Sequence, residues 1–167
     1  MPTDKAALKA ELLQAIDARR DEIVELLRRF LRIKSVNPPG DTREAAAFVR
    51  ELLDAAGVAH RTEAFVPEMP NIISRWEAGK PGRHLMLNGH MDIFPVTNEK
   101  LWEAEVIDGK IMGRGASDMK TGTLASILAF CQLYPHREKL NGALSLTVVS
   151  DEQSGGRYGT KFLFDEF

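Results

Sequence analysis

The chain has 167 residues, enough for one domain that removes roughly 70% of its unfolded surface from water and so builds a real core. It is 44% hydrophobic and 28% charged with a net charge of −2, and no basic stripe interleaves with aromatics, which argues against nucleic acid as a partner. A single cysteine, Cys131, excludes an internal disulfide framework. No apolar run is long enough for a membrane span or a signal peptide, so the expectation is a cytoplasmic protein with no membrane partner.

In chain order, residues 4–31 predict one long amphipathic helix, because Leu13, Ile16, Ile23, Leu27 and Phe30 recur at helical spacing between charges. "SVNPPGD" (35–41) stops it, since two prolines and a glycine cannot continue a helix. "TREAAAFVRELLDAAG" predicts a second helix, with Thr42 as N-cap and Gly57 as its stop. Short extended runs follow at 59–66, 71–77 and 83–90. "VIDGKIMG" (106–113) carries an Asp-Gly pair between apolar flanks, a hairpin signal. "MKTGTLASILAFCQLY" reads as a helix with Leu124, Ile127, Leu128 and Cys131 on one face. "ALSLTVVS" (143–150) reads as a strand and "GRYGTKFLFDEF" as the start of another helix. Helices alternating with apolar strands predict an α/β domain, a mainly parallel sheet flanked by helices. In such sheets ligands gather at the carboxyl ends of the strands.

Three acidic stations lie where that rule points. In "LNGHMD", His90 follows an apolar run and Asp92 comes two residues later. An imidazole is a good zinc ligand when a carboxylate holds its other nitrogen, though His-x-Asp alone is more often a plain loop pair. In "GRGASDMK", Asp118 precedes a helix, and Ser117 or Asp118 is equally the expected N-cap. A phosphate loop is disfavoured there, because the third glycine of a dinucleotide fingerprint is missing. In "VVSDEQSGG", Asp151 and Glu152 arrive where a strand should end, which by itself fits a solvated turn. Taken together, hard carboxylates and an imidazole suit zinc, manganese or cobalt. His60, His84 and His136 have no such setting and are expected to be surface or partly buried residues.

"NGHMD", "DGKIMGRGASDMKTG" and "VVSDEQSGGRYGT", preceded by "SVNPPG", resemble in order the motifs of the zinc aminoacylase/carboxypeptidase metallopeptidase family, which includes acetylornithine deacetylase, succinyl-diaminopimelate desuccinylase and carboxypeptidase G. The resemblance covers nearly the whole chain. It implies the N-terminal part of a di-zinc catalytic domain over residues 1–167, and hydrolysis of an amide bond in an N-acyl amino acid or peptide. It also implies a lid and homodimerisation domain that this sequence lacks. Carried over by position, His90 would bind a metal, Asp118 would bridge two, Asp92 would orient His90, and Glu152 would be the general base. Where the family usually has a second glutamate, this chain has Gln153. An uncharged amide is a weaker ligand than a carboxylate, so the second of two zinc ions is expected to bind weakly or not at all. Later family ligands have no counterpart here, and the segment between Trp102 and Gly109 is shorter than the family pattern. The alternative is a truncated, non-catalytic α/β domain that acts only by binding, or an inactive fragment.

Overall fold

The computed structural model describes residues 2–166. In place of one N-terminal helix there are two, α1 (Pro2–Ala18) and α2 (Arg20–Arg32), parted at Arg19, where φ is −105° and ψ is 15°. The two apolar stripes do not share a destination. Phe30 and Leu31 of α2 are fully buried, whereas Leu13 and Ile16 of α1 are 51% and 43% exposed. One straight rod could not bring the α2 stripe into the core and also lay α1 along the body, where Gln132 Nε2 donates to the Leu12 carbonyl at 2.9 Å.

Helix α3 (Arg43–Ala55) begins and ends as its sequence predicts, with Gly57 in the left-handed region at φ 65°. Thr42 holds the N-cap position, but its hydroxyl does not cap the helix. It bonds Ser150 Oγ at 2.7 Å and the Glu68 carbonyl at 3.3 Å. Strands β1 (His60–Glu63), β2 (Asn71–Glu77) and β3 (Lys80–His90) follow. Next comes the hairpin β4 (Glu105–Ile107) and β5 (Lys110–Met112), whose turn residues Asp108 and Gly109 both have positive φ, as an Asp-Gly hairpin turn requires. Helix α4 (Lys120–Leu133), strand β6 (Asn141–Val149) and the short α5 (Phe162–Glu166) complete the order.

The main sheet runs β1-β2-β6-β3. The helix-flanked α/β architecture is as expected, and the sheet is mixed. β3 and β6 pair in parallel, in the register Leu85↔Leu144 and Leu87↔Leu146, while β2 runs antiparallel to both β1 and β6. The difference lies in the connections. β3 reaches β6 through the α4 crossover, as a parallel pair must, whereas the few residues between β1 and β2 reverse the chain directly. Ile72, Trp76, Leu144, Leu146 and Val148 face the helices and meet Phe30, Phe48, Val49, Leu53, Ile127 and Phe130 in one core. Phe30 stacks on Phe48 with ring centroids 4.9 Å apart. Each such buried side chain stabilises the fold by about 1.5–3 kcal/mol. Trp76 packs against Phe130 and Tyr134 within this core.

The topology also decides where chemistry can gather. Because β3 and β6 are parallel, both release the chain at the same end of the sheet, and the crossover starts α4 there too. All three acidic stations leave the sheet at that end.

Candidate metal centre

β3 ends at His90, and the next residue continues the pairing, with Met91 N donating to the Val149 carbonyl at 2.9 Å. Residues 91–93 are then stitched to the loop after α2. Ile93 N donates to the Ser35 carbonyl at 2.9 Å, Asn37 N to the Ile93 carbonyl at 2.8 Å, and Ser35 Oγ to the Met91 carbonyl at 2.5 Å. From the other side, Thr123 Oγ1 of α4 donates to the His90 carbonyl at 2.8 Å. His90 is therefore buried, with its backbone held on both flanks.

Its ring is fixed in the same way. Nδ1 lies 3.0 Å from the Asp92 carbonyl and 3.2 Å from Asp92 Oδ1. A proton on Nδ1 satisfies those oxygens and leaves Nε2 as the outward donor atom, the tautomer a metal ligand needs. Nε2 faces Asp118 Oδ1 at 3.1 Å and Glu152 Oε2 at 3.5 Å. The three groups offer ligand atoms that all lie within 4.8 Å of one another.

Asp118 sits in the turn before α4, after Gly115 at φ 85°. Met119 occupies the N-cap position of α4, with no side-chain capping bond, so neither Ser117 nor Asp118 serves as the cap. The Asp118 carboxylate is free to face His90 instead, and it also accepts a bond from Gln153 Nε2 at 3.1 Å.

The two acids after β6 diverge. Asp151 turns inward, is 1% exposed, and accepts bonds from Asn37 Nδ2 and Tyr158 N, both at 2.9 Å. Glu152 turns outward, towards His90 and Asp118. Asp92, fully buried, holds the backbone that carries Glu152. Its Oδ1 accepts from Glu152 N at 3.2 Å, and its Oδ2 from Gln153 N and Asn37 Nδ2, both at 2.9 Å.

Electrostatics follow from this crowding of carboxylates. Burial works against a charge on His90, but the hydrogen bond and charge of Asp92, joined by Asp118, outweigh it and raise the imidazole from 6.5 to about 9. The Gln153 amide bond, against an opposing desolvation and with help from His90, holds the Asp118 carboxyl below its usual range. Lys120, two residues on, is fully buried. Its Nζ donates to the carbonyls of Phe30 at 2.9 Å and Ile33 at 2.7 Å, at the C-terminal end of α2. Burial pushes its ammonium down to about 7, with Glu44 and Asp92 pulling the other way.

One imidazole nitrogen and two carboxylate oxygens at this spacing fit a divalent zinc, manganese or cobalt ion. The sequence-predicted residues His90, Asp92, Asp118, Glu152 and Gln153 come together at one place. Among the described residues, no other group of three His, Cys, Asp or Glu side chains meets this spacing. His84 bonds Ser145 Oγ across the sheet and His60 lies beside the Val58 carbonyl, away from this site. Sequence reasoning missed Asn37 and Lys120, and it separated Glu152 from Asp151 only through the family resemblance. The strand period carried that last signal, but only up to Val149, where regular pairing ends. Among the described helices, none is long and apolar enough to cross a membrane.

Peptidase family M20/M25/M40 matches residues 86–167, which carry all three stations. Succinyl-diaminopimelate desuccinylase of Aliarcobacter butzleri is 35% identical over 146 residues, 83% of this chain and 36% of that protein. N-formyl-4-amino-5-aminomethyl-2-methylpyrimidine deformylase of Halalkalibacterium halodurans is 30% identical over 165 residues, 94% of this chain and 38% of that protein. The chain thus spans little more than a third of the length of these relatives. Human carnosine dipeptidase 1 shares the fold with a TM-score of 0.76 at 20% identity, over 94% of this chain and 37% of that one. Matched by the family model over residues 86–167 and 35% identical over 83% of its length to the desuccinylase, the chain belongs to peptidase family M20/M25/M40.

Proposed function

We propose that this chain provides the metal-binding and proton-transfer groups of a metal-dependent amide hydrolase acting on N-acyl amino acids or peptides. The observation that carries this reading is the convergence of His90 Nε2, Asp118 and Glu152 at the carboxyl end of the β3–β6 pair. Support for the substrate class comes from the relatives, which include a desuccinylase and a deformylase. His90 and Asp118 would hold the ion, with zinc as the first candidate. When bound, such an ion polarises a carbonyl and lowers the pKa of water to about 7.

The chain's own residues would do the rest. Asp92 keeps the His90 ring in the tautomer that presents Nε2. Glu152, next to the ion position on the exposed side, would take a proton from the attacking water on its carboxylate and deliver it to the leaving nitrogen. Asp118 has a second oxygen facing Gln153, so any second ion would share Asp118 and gain only a neutral amide there. That ion would bind more weakly than the first.

A count of donors favours a second reading beside the first. With Glu152 acting as base, His90 and Asp118 remain as ligands to the first ion, and zinc sites normally use three or four protein ligands. The chain by itself would then bind metal without turnover, and donors from the remaining length of such relatives would complete the site. Zinc stoichiometry measured alongside hydrolysis of N-acyl amino acids separates the two. Stoichiometric zinc with turnover supports the first reading and zinc without turnover the second. The absence of zinc binding overturns both.

A further inference from the structure

Asn37 lies beneath the site, 1% exposed, and every polar group of its side chain is engaged. Its Nδ2 donates to Asp92 Oδ2 and to Asp151 Oδ1, both at 2.9 Å, and its Oδ1 accepts from Ser154 Oγ at 2.9 Å. Two fully buried carboxylates therefore share one amide. Buried carboxylates repel each other and are strongly disfavoured without donors, and the two N–H groups of one amide supply a donor to each. Each carboxylate in turn holds the loop that follows β6. Asp92 grips the backbone amides of Glu152 and Gln153, and Asp151 that of Tyr158. Asp92 is also the group that fixes the His90 ring.

We infer that Asn37 is a positioning residue for the metal site. Through Asp92 it sets the His90 ring, and through Asp92 and Asp151 it sets the 151–158 loop, so that Glu152 stands over the ion position. It comes from the loop after α2, remote in sequence from the groups it aligns. Its backbone is anchored by the bond from Asn37 N to the Ile93 carbonyl. The inference rests on the proposed metal-dependent reading.

Asn37→Ala removes both donations, and Asn37→Ser, which keeps a single donor, serves if the alanine variant does not fold. Thr42→Val is the matched control. It removes another buried bond to the same region, the 2.7 Å contact with Ser150 Oγ, without touching Asp92 or Asp151. Two quantities are measured on the whole chain: zinc affinity, and amide hydrogen exchange at Glu152, Gln153 and Tyr158 in the metal-free state. In Asn37→Ala zinc affinity is expected to fall by about tenfold or more, the usual size for a residue that orients a ligand. Exchange at the three amides is expected to accelerate by about tenfold as their acceptors lose alignment. Thr42→Val should leave both unchanged. Wild-type exchange at those amides in Asn37→Ala, or the same losses in Thr42→Val, would overturn the inference. If the wild-type chain binds no zinc, the metal-dependent reading falls, while the exchange data still decide the role of Asn37.

Discussion

Glu152 and Gln153 are neighbours with opposite expectations. Glu152 is the proposed base, so in any assembly of this chain that turns over, Glu152→Gln should lower kcat by about 10²–10⁴. Steady-state kinetics checks this, and zinc affinity measured on the same variant should fall far less than in His90→Ala. A variant with near-full turnover would remove Glu152 from that role. Gln153 already touches Asp118 Oδ2 through its amide. Replacing it by Glu adds a charge at the place where a second ion would sit, so Gln153→Glu should raise the zinc stoichiometry or tighten the weaker site in a calorimetric titration. Five side chains at this site, His90, Asp92, Asp118, Glu152 and Gln153, were legible in the sequence because they fall in three motifs that follow an apolar run or precede a helix and that together resemble a family pattern. Asn37 was not, because Pro38 and Pro39 beside it speak of a helix stop and a family segment and neither gives its side chain a partner. The contacts that matter span 55 residues to Asp92 and 114 to Asp151. No local pattern encodes a bond of that range.

Among the elements, the β3–α4–β6 unit builds the site, and Lys120 ties its helix to the end of α2. The two carbonyls it serves, on Phe30 and Ile33, lie in the last turn and just past it, and each also accepts a backbone amide, from Ile33 N at 3.3 Å and Ser35 N at 3.1 Å. Lys120→Ala removes those bonds and opens a cavity under a stem that is fully buried. It should destabilise the fold by about 2–4 kcal/mol, read from a denaturant titration. An unchanged midpoint would show that the tie carries no stability.

β3 presents the opposite case. It is a strand of 11 residues at the edge of the sheet, with Leu85 and Met86 59% and 51% exposed. Exposed apolar edge segments such as Leu85–Met86 pair with other chains, and a lysine among them blocks this, while Lys80, Pro81 and Arg83 guard only the first part of the strand. Light scattering of the wild type should therefore show association that grows with concentration, and Met86→Lys should reduce it. A monodisperse wild-type monomer at high concentration would contradict this. The strands and the Asp-Gly hairpin were legible because their periods and turn residues are local. The break at Arg19 was not, because both halves carry helical periodicity and only packing shows that their apolar stripes face different surfaces.

At the scale of the whole molecule, a helix-flanked four-stranded sheet with a separate two-stranded hairpin carries the proposed metal ligands and base at one end. The chain's matched relatives are far longer, since it covers only 36% of the desuccinylase. The α/β class was legible from the alternation of helices and apolar strands. The antiparallel attachment of β1 and β2 was not, because strand direction depends on how the connections run in space. A ligand that binds only the folded state stabilises it by about 2.7 kcal/mol at a concentration of 100 times its Kd. Zinc binding should thus appear both as heat and as a shifted unfolding transition, reversed by a chelator. The most direct test is a zinc titration of the metal-free chain, with His90→Ala and Asp118→Asn beside the wild type. One ion per wild-type chain, with binding lost in both variants, is the predicted result. No binding by the wild type, or binding that survives in both variants, would contradict it.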